Sequence, residues 1–368
     1  VKMGAKKDGR LVAVETELYG DTGAYASLGE KVLTRATTHS SGPYEMPHAK
    51  ADCYAMYTNN PPAGAFRGFG VTQSAFAIES MMDTLAETIG MDPIEIRRIN
   101  GLRVGSVTNT GQVLKDSVGL MECIDRVSAE MHKQAGRPNP FTPEPVPGHP
   151  NKVRAWGFSV AYKNTGLGGG APDKAGAEME IYPDGHFEVR TSSAEIGQGL
   201  VTVLQLISAE ELGVPAEQVS VLLSDTDLTP DGGPTTASRQ TYVSGNAARH
   251  AAAAMRQKIC VYLAEKFDFP PDQITIQSGM IQIGDREFSI KDVAGMMAAD
   301  HQRMKVFYEY EAPATKPLGE GGDMHFAFSF AAQAAEVEVD RITGEVKVLR
   351  VVAGTDVGAA INPLGLQG

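Results

Sequence analysis

Apolar residues recur along this chain with two periods, and the switches between them mark its elements. Leu11–Glu17 and Ala49–Tyr57 read as strands. Ala75, Phe76, Ile78, Met81, Met82, Leu85, Ala86 and Ile89 then return every third or fourth position, which predicts one face of a helix. Met91-Asp92-Pro93-Ile94-Glu95 predicts a second helix start, with Asp92 as cap, Pro93 at the first position and Glu95 closing a capping box. Further on, Trp156–Tyr162 predicts a buried strand, and Ala175–Tyr182, the turn Pro183-Asp184-Gly185 and His186–Thr191 predict a hairpin. Val203, Leu204, Ile207 and Leu212 mark another helix, Ala247–Glu265 an alanine-rich one, and 335–340 with 346–352 a closing hairpin. The mixture implies an α+β fold, with mixed sheets and helices in two or more lobes. Gly136–Asn151 holds six prolines, which predicts a linker over 136–151 between a first lobe, 1–135, and a second, 152–368.

Length supports more than one lobe, since 368 residues exceed a usual single domain. Forty glycines stand against one Trp. They sit between strongly patterned segments, which points to tight turns and close backbone approaches rather than disorder. The formal charge of −12 argues against nucleic acid or an anionic membrane surface as a partner. No apolar run reaches spanning length and no signal peptide opens the chain, so the expected location is the cytoplasm. Val1-Lys2-Met3-Gly4 reads as an internal start. Cys53, Cys123 and Cys260 form no Cys-x-x-Cys pair, so neither an iron–sulfur cluster nor a structural zinc is encoded, and buried thiols are expected.

Candidate chemistry lies in the glycine loops. Pro61-Pro62-Ala63-Gly64-Ala65-Phe66-Arg67-Gly68-Phe69-Gly70 combines an extended approach with glycines and runs directly into a helix. Such a loop offers backbone N–H groups to an oxygen-rich, anionic ligand. Ala194-Glu195-Ile196-Gly197-Gln198-Gly199-Leu200 repeats the strand, glycine kink and helix order. Asp231–Gln240 is a third instance, where the Thr236 and Ser238 hydroxyls could cap their own helix or hold a phosphate or pterin. Gly166-Leu167-Gly168-Gly169-Gly170 matches neither the dinucleotide fingerprint nor the P-loop spacing.

The loop Pro-Pro-x-Gly-Ala-Phe-Arg-Gly-Phe-Gly, followed by Gln73 and a helix carrying Glu79, Met82 and Asp83, resembles the molybdopterin-binding subunit of the xanthine dehydrogenase and aldehyde oxidase family. Glu195-Ile196-Gly197-Gln198-Gly199, Thr235-Thr236-Ala237-Ser238, Gly245-Asn246, and Asp356-Val357-Gly358 with Ile361-Asn362-Pro363 follow in the family's order and at about its spacing. The resemblance implies a molybdopterin-type molybdenum cofactor, including its cytosine dinucleotide form. The pterin dithiolene would hold the metal, so no protein side chain is expected as a metal ligand. Ala65, Phe66, Arg67 and Gly68 would lie against the metal. Gly197, Gln198, Gly199, Thr236, Ala237, Ser238 and Gln240 would hold the pterin and its phosphate. The family's Gly-Gly-Gln segment and its Gly-Glu-Pro-Pro segment, which carries the glutamate base, are not among these residues. The sequence therefore matches the middle of the subunit, and neither Glu79 nor Glu195 is assigned as base.

The activity implied by the resemblance is oxidation of a purine or related N-heteroaromatic with water as oxygen donor. Electrons would pass to iron–sulfur clusters and FAD on partner subunits, alongside the remaining part of the molybdopterin subunit. Arg35 lies 32 positions before Arg67, the spacing at which xanthine-oxidising members carry an arginine facing the purine. Phe69 would supply a stacking face for the ring. Carbon monoxide dehydrogenases of the family carry a copper-binding cysteine after the loop arginine, where this chain has Gly68. Three readings compete with this one: an aldehyde oxidoreductase of the same family, a cofactor-binding or assembly subunit without catalysis, and a protein whose glycine loops only serve packing.

Overall fold

The computed structural model describes residues 1–367, in two compact units. Unit 1 comprises Val1–Asn164 with Lys316–Gly358, and unit 2 comprises Thr165–Thr315 with the stretch from Ala359 onward. Unit 1 opens with β1 (Lys2–Ala5), β2 (Leu11–Gly23), α1 (Gly29–Thr38) and β3 (His48–Tyr57). It continues with α2 (Val71–Ile89), α3 (Pro93–Asn100), α4 (Leu120–Ala135), β4 (Glu144–Val146) and β5 (His149–Thr165). Unit 2 follows with β6 (Lys174–Ile181), β7 (Phe187–Thr191), α5 (Leu200–Leu212), β8 (Val219–Leu223) and α6 (Gly245–Phe267). The short strands β9 (Thr275–Gln277), β10 (Met280–Ile283) and β11 (Arg286–Ser289), helix α7 (Ile290–Ala299) and β12 (Lys305–Glu311) come next, and a short helix, Pro363–Gln367, follows at the end of the described residues. The chain then returns to unit 1 with β13 (Ala327–Asp340) and β14 (Val346–Asp356).

Two sheets build unit 1. In the first, ordered β1-β2-β3, β2 pairs antiparallel with β1 and parallel with β3. A parallel pair needs a crossover, and α1 supplies it. The second is ordered β14-β13-β5-β4. Trp156, Phe158, Val160 and Tyr162 alternate inward along β5, the period of a half-buried strand. Ile78 and Met82 of α2 and Leu120 and Ile124 of α4 join them in one core. Asp92 caps α3 by accepting hydrogen bonds from the N–H groups of Ile94 and Glu95.

The expected linker over 136–151 differs from what folds there. That segment carries β4 and enters β5, entirely within unit 1, and the boundary between units falls at Asn164 and Thr165. Pro145 sits in the edge strand β4, where one face of the ladder has no partner to lose. The proline count signals an edge and turns, not a break between compact bodies. A lobe reaching from 152 to the C-terminus is likewise replaced by three crossings between the units, since β13 pairs beside β5 in unit 1.

Unit 2 has a sheet ordered β12-β6-β7-β8, antiparallel except for β7 with β8. Helices α5 and α6 pack together, and α6 lies on β6 and β12. Its buried Ala247, Ala248, Ala251 and Ala252 present no long side chain, so the helix can approach its neighbours closely. A π-helical turn, Gln240–Ser244, precedes α6. Thr236 and Ser238 therefore lie upstream of the helix and do not cap it.

Candidate functional site

In unit 1 the glycine loop is strapped onto β2 and α1. The N–H of Ala63 donates to Thr22 O at 3.0 Å, and that of Ala24 donates to Asn60 O at 3.0 Å. A tight turn follows, closed by the N–H of Phe69 donating to Phe66 O at 2.8 Å. Phe69 itself holds φ of 53°, a left-handed conformation that a bulky residue rarely adopts and that clusters at functional sites. Gly70 has φ of 94°, and a Cβ there would stand 2.2 Å from Val32 O of α1. Glycine is required so that the loop can rest on the helix carrying Arg35. Ala65, Phe66 and Arg67 are exposed at the turn, Phe66 to 76%. Behind the loop is a cavity of about 440 Å³, with Thr16 and Leu18 of β2, Val32 and Ala36 of α1, Gly64 and Gly70 in its wall. Thr16 Oγ1 is buried without a hydrogen-bond partner.

Arg35 is buried and is not a solvated surface arginine. Its Nη1 lies 2.9 Å from Nε2 and 3.3 Å from Nδ1 of His325. Burial lowers the guanidinium to about 10. Around it stand His39, one helical turn further on, and Lys163 at the end of β5. Burial, then the Arg35 charge, lowers Lys163 to about 7. Burial, Arg35 and Lys163 lower His325 to about 3. Burial and the charges of Lys163, Arg35 and His325 keep His39 well below the usual range, which leaves it neutral at pH 7. Tyr162 and Phe328 wall the cluster, stacked with centroids 5.5 Å apart, and the His39 ring lies 4.7 Å from Tyr162.

Unit 2 brings its two glycine loops together. The Ala194 N–H donates to Thr235 Oγ1 at 2.8 Å, and Ser193 Oγ donates to Gln240 Oε1 at 2.7 Å. Gln240 also accepts from Ser244 Oγ at 2.5 Å and donates to Pro234 O at 3.1 Å, so its amide braces the loops. Ala237 and Ser238 are consecutive left-handed residues, with φ of 53° and 54°. The Gly166 N–H donates to Ala237 O at 3.0 Å, which helps to hold that geometry. Beneath them Arg239 is fully buried, paired with Asp173 at 2.6 Å and donating to Gly232 O at 2.8 Å. Its charge serves the scaffold.

At the start of α5 a side chain already occupies the N–H groups. Glu195 Oε1 accepts from Gly197 at 2.8 Å and Gly199 at 3.0 Å, and Oε2 accepts from Val201 at 3.0 Å. Burial pushes its carboxyl up, but these donors outweigh it and hold the pKa below the usual range. Gln198 folds back on the same loop, accepting from the Ile196 N–H at 2.6 Å and donating to Ala194 O at 2.9 Å. Glu79, the other acidic residue of interest, is structural. It accepts from Arg97 Nε at 2.8 Å, from the Val160 N–H at 2.9 Å and from the Tyr44 hydroxyl.

The expected offer of backbone N–H groups to an anion is not met at the start of α5, where Glu195 holds them, but the loops remain sterically open. A Cβ built on Gly64, Gly197 or Gly199 meets no atom within 4 Å, so the space in front of each is open to a ligand. Among the described residues no three His, Cys, Asp or Glu side chains gather as a metal-ligand set, and no helix is long and apolar enough to cross a membrane. His39, Lys163 and His325 were not singled out by sequence. His39 was within reach, four positions after Arg35, whereas His325 carried no local signal.

Two models of a molybdopterin cofactor-binding domain match the chain, over residues 1–101 and 129–368. The xanthine dehydrogenase molybdenum-binding subunit of Escherichia coli O157:H7 is 30% identical over 391 aligned residues, covering 100% of this chain and 48% of that protein. The nicotinate dehydrogenase large molybdopterin subunit of Eubacterium barkeri is 55% identical over 125 residues, 34% of this chain and 29% of the relative. The crystal structure of the aldehyde oxidoreductase from Desulfovibrio desulfuricans ATCC 27774 superposes with a TM-score of 0.80 at 27% identity, over 98% of this chain and 37% of that one. The chain spans about half the length of the xanthine dehydrogenase subunit it matches. Loop order, fold and family models agree, and the chain belongs to the molybdopterin-binding subunits of the xanthine dehydrogenase and aldehyde oxidoreductase family.

Proposed function

We propose that this chain forms part of a molybdenum hydroxylase that oxidises a purine or related N-heteroaromatic, with water as oxygen donor. The observation that carries this reading is Arg35, buried on α1, the helix on whose Val32 and Ala36 the Gly70 end of the loop rests. A guanidinium in a dry pocket donates paired hydrogen bonds to a ring carbonyl or carboxylate and stabilises negative charge developing on the ring. Phe69 offers the ring a face. Two relatives named for xanthine and nicotinate support the substrate class.

In unit 1, Ala65, Phe66, Arg67 and Gly68 would face the cofactor. In unit 2, Gly197, Gln198, Gly199, Thr236, Ala237, Ser238 and Gln240 would hold its pterin and phosphate, Gln240 by bracing the loop. When bound, the molybdenum group supplies two-electron redox chemistry and activates water. The protein's part is to orient the ring and exclude solvent. The electrons would leave through iron–sulfur and flavin partner subunits, as the resemblance to the family implies. The cytosine dinucleotide form of the cofactor and a cytoplasmic location belong to the same proposal.

The test is metal and pterin analysis of the native complex, with a substrate panel. Molybdenum and pterin are expected in equal amounts, with turnover of N-heteroaromatics above that of simple aldehydes. An active complex free of molybdenum, or one that prefers aldehydes, would sink the proposal. Gly68 sets a second expectation, since glycine offers no thiolate to copper. The complex should bind no copper at this loop and should not turn over carbon monoxide, as metal analysis and a carbon monoxide assay would show.

A further inference from the structure

Helix α5 begins without a cap of its own. Its N-cap is Gly199, left-handed with φ of 82°, where no side chain accepts a hydrogen bond. The first N–H groups of a helix need acceptors from outside it, and the macrodipole favours an anion among them. Here that anion belongs to the chain. The Glu195 carboxylate gathers donors from three alternate residues, Gly197 at 2.8 Å, Gly199 at 3.0 Å and Val201 at 3.0 Å. Gly197, with φ of 95°, and Gly199 are both left-handed, a conformation that glycine adopts without strain and that turns their N–H groups toward one carboxylate. The Gln198 amide is spent on the same turn, accepting from the Ile196 N–H at 2.6 Å and donating to Ala194 O at 2.9 Å. Glu195 is exposed, so these bonds are not needed to neutralise a buried charge. They fix the turn, and what the turn leaves free is the open space in front of Gly197 and Gly199.

We infer that Glu195 is a positioning residue that holds the turn from Glu195 to Val201 in its ligand-ready shape before any ligand arrives. The anion on the α5 N–H groups is then the protein's own, and an incoming group meets the open faces of Gly197 and Gly199 instead. The ordering of the turn rests on these bonds alone, whereas the identity of the incoming group as a molybdenum cofactor rests on the function proposed above. A turn ordered in advance spares the bound state the cost of ordering it. The role differs from proton transfer, because three donors aimed at a carboxylate stabilise its ionised form and make it a poorer base.

The experiment compares native complexes carrying the wild-type chain, Glu195→Ala or Glu195→Gln. Three quantities are read: amide hydrogen exchange at single-residue resolution, the rate at which molybdenum and pterin are lost on dialysis, and turnover per bound molybdenum. In Glu195→Ala the amides of Gly197, Gly199 and Val201 should exchange at least about tenfold faster, since each loses a charged acceptor. Molybdenum and pterin should leave about three- to tenfold faster, because the turn must be ordered afresh on binding. Glu195→Gln keeps one acceptor oxygen and should fall between the other two. Turnover per bound molybdenum should fall less than about tenfold, against the hundredfold or more expected on losing a general base. Unchanged exchange in Glu195→Ala, or faster exchange with the cofactor held as firmly as in the wild type, overturns the inference. Slower loss of the cofactor also overturns it, by making Glu195 a competitor for the cofactor's own seat. So does a fall of about a hundredfold in turnover per bound molybdenum with the cofactor retained, which would make Glu195 the base. A wild-type complex free of molybdenum would fail the function proposed above, and the exchange rates alone would then decide the role of Glu195.

Discussion

Replacing Glu79 by Ala is expected to destabilise unit 1 by about 3–5 kcal/mol, the usual consequence of removing one partner from a buried ion pair. Arg97 is fully buried, and Glu79 stands 2.8 Å from its Nε. Asp83 also approaches Arg97 Nη2 at 2.8 Å, but it is more than half exposed and already engaged. The loss reaches further than one charge. The Tyr44 hydroxyl and the Val160 N–H both donate to the same carboxylate, so the substitution also leaves two buried donors without an acceptor. Since Val160 belongs to β5 and Glu79 to α2, the defect falls where helix and sheet meet. Thermal melting should show a fall of roughly 6–20 °C for a unit of this size. Glu79→Gln, which keeps an acceptor but not the charge, should fall between the variant and the wild type. A shift below about 3 °C for Glu79→Ala would mean that Asp83 alone neutralises Arg97.

Arg35→Met in the assembled complex should lower kcat/KM for purines and related N-heteroaromatics by about ten- to a hundredfold, the worth of one or two hydrogen bonds from a charged donor. Neutral aldehydes have no ring carbonyl or carboxylate for the guanidinium to grip, so their turnover should change little. The contrast between substrates is the readout, because a folding defect would lower both. Met fills similar length without charge, but it gives up the buried hydrogen bond between Arg35 Nη1 and His325, so melting of both proteins accompanies the kinetics. Equal losses on both substrate classes, or none, would make Arg35 a structural residue.

Local elements were legible because their signals are local. The helix over 71–89 announces itself by the return of Ile78, Met82 and Ala86 to one face, and β5 by the alternation from Trp156 to Tyr162. The loops at 61–70, 194–200 and 231–240 were legible for a related reason, since glycines and short polar residues mark backbone conformations that other residues avoid. The left-handed φ of Phe69, Ala237 and Ser238 gives those loops a structural distinction that residue type alone did not carry.

Long-range partnership was not legible. Nothing near residue 150 reveals that β13 pairs beside β5, so a proline-rich edge strand read as a linker. Arg35 meets His325 across 290 residues, and Arg239 meets Asp173 across 66. Glu195 sits within its own motif, yet only the fold of that loop turns its carboxylate onto the α5 N–H groups. By itself the sequence determined the family, the order of the glycine loops and most helices and strands, because periodicity and backbone preference act over a few residues. Tertiary structure decided the unit boundary, which arginines neutralise buried acids and which lie against a histidine instead. Those outcomes depend on through-space distance and desolvation, and spacing along the chain encodes neither.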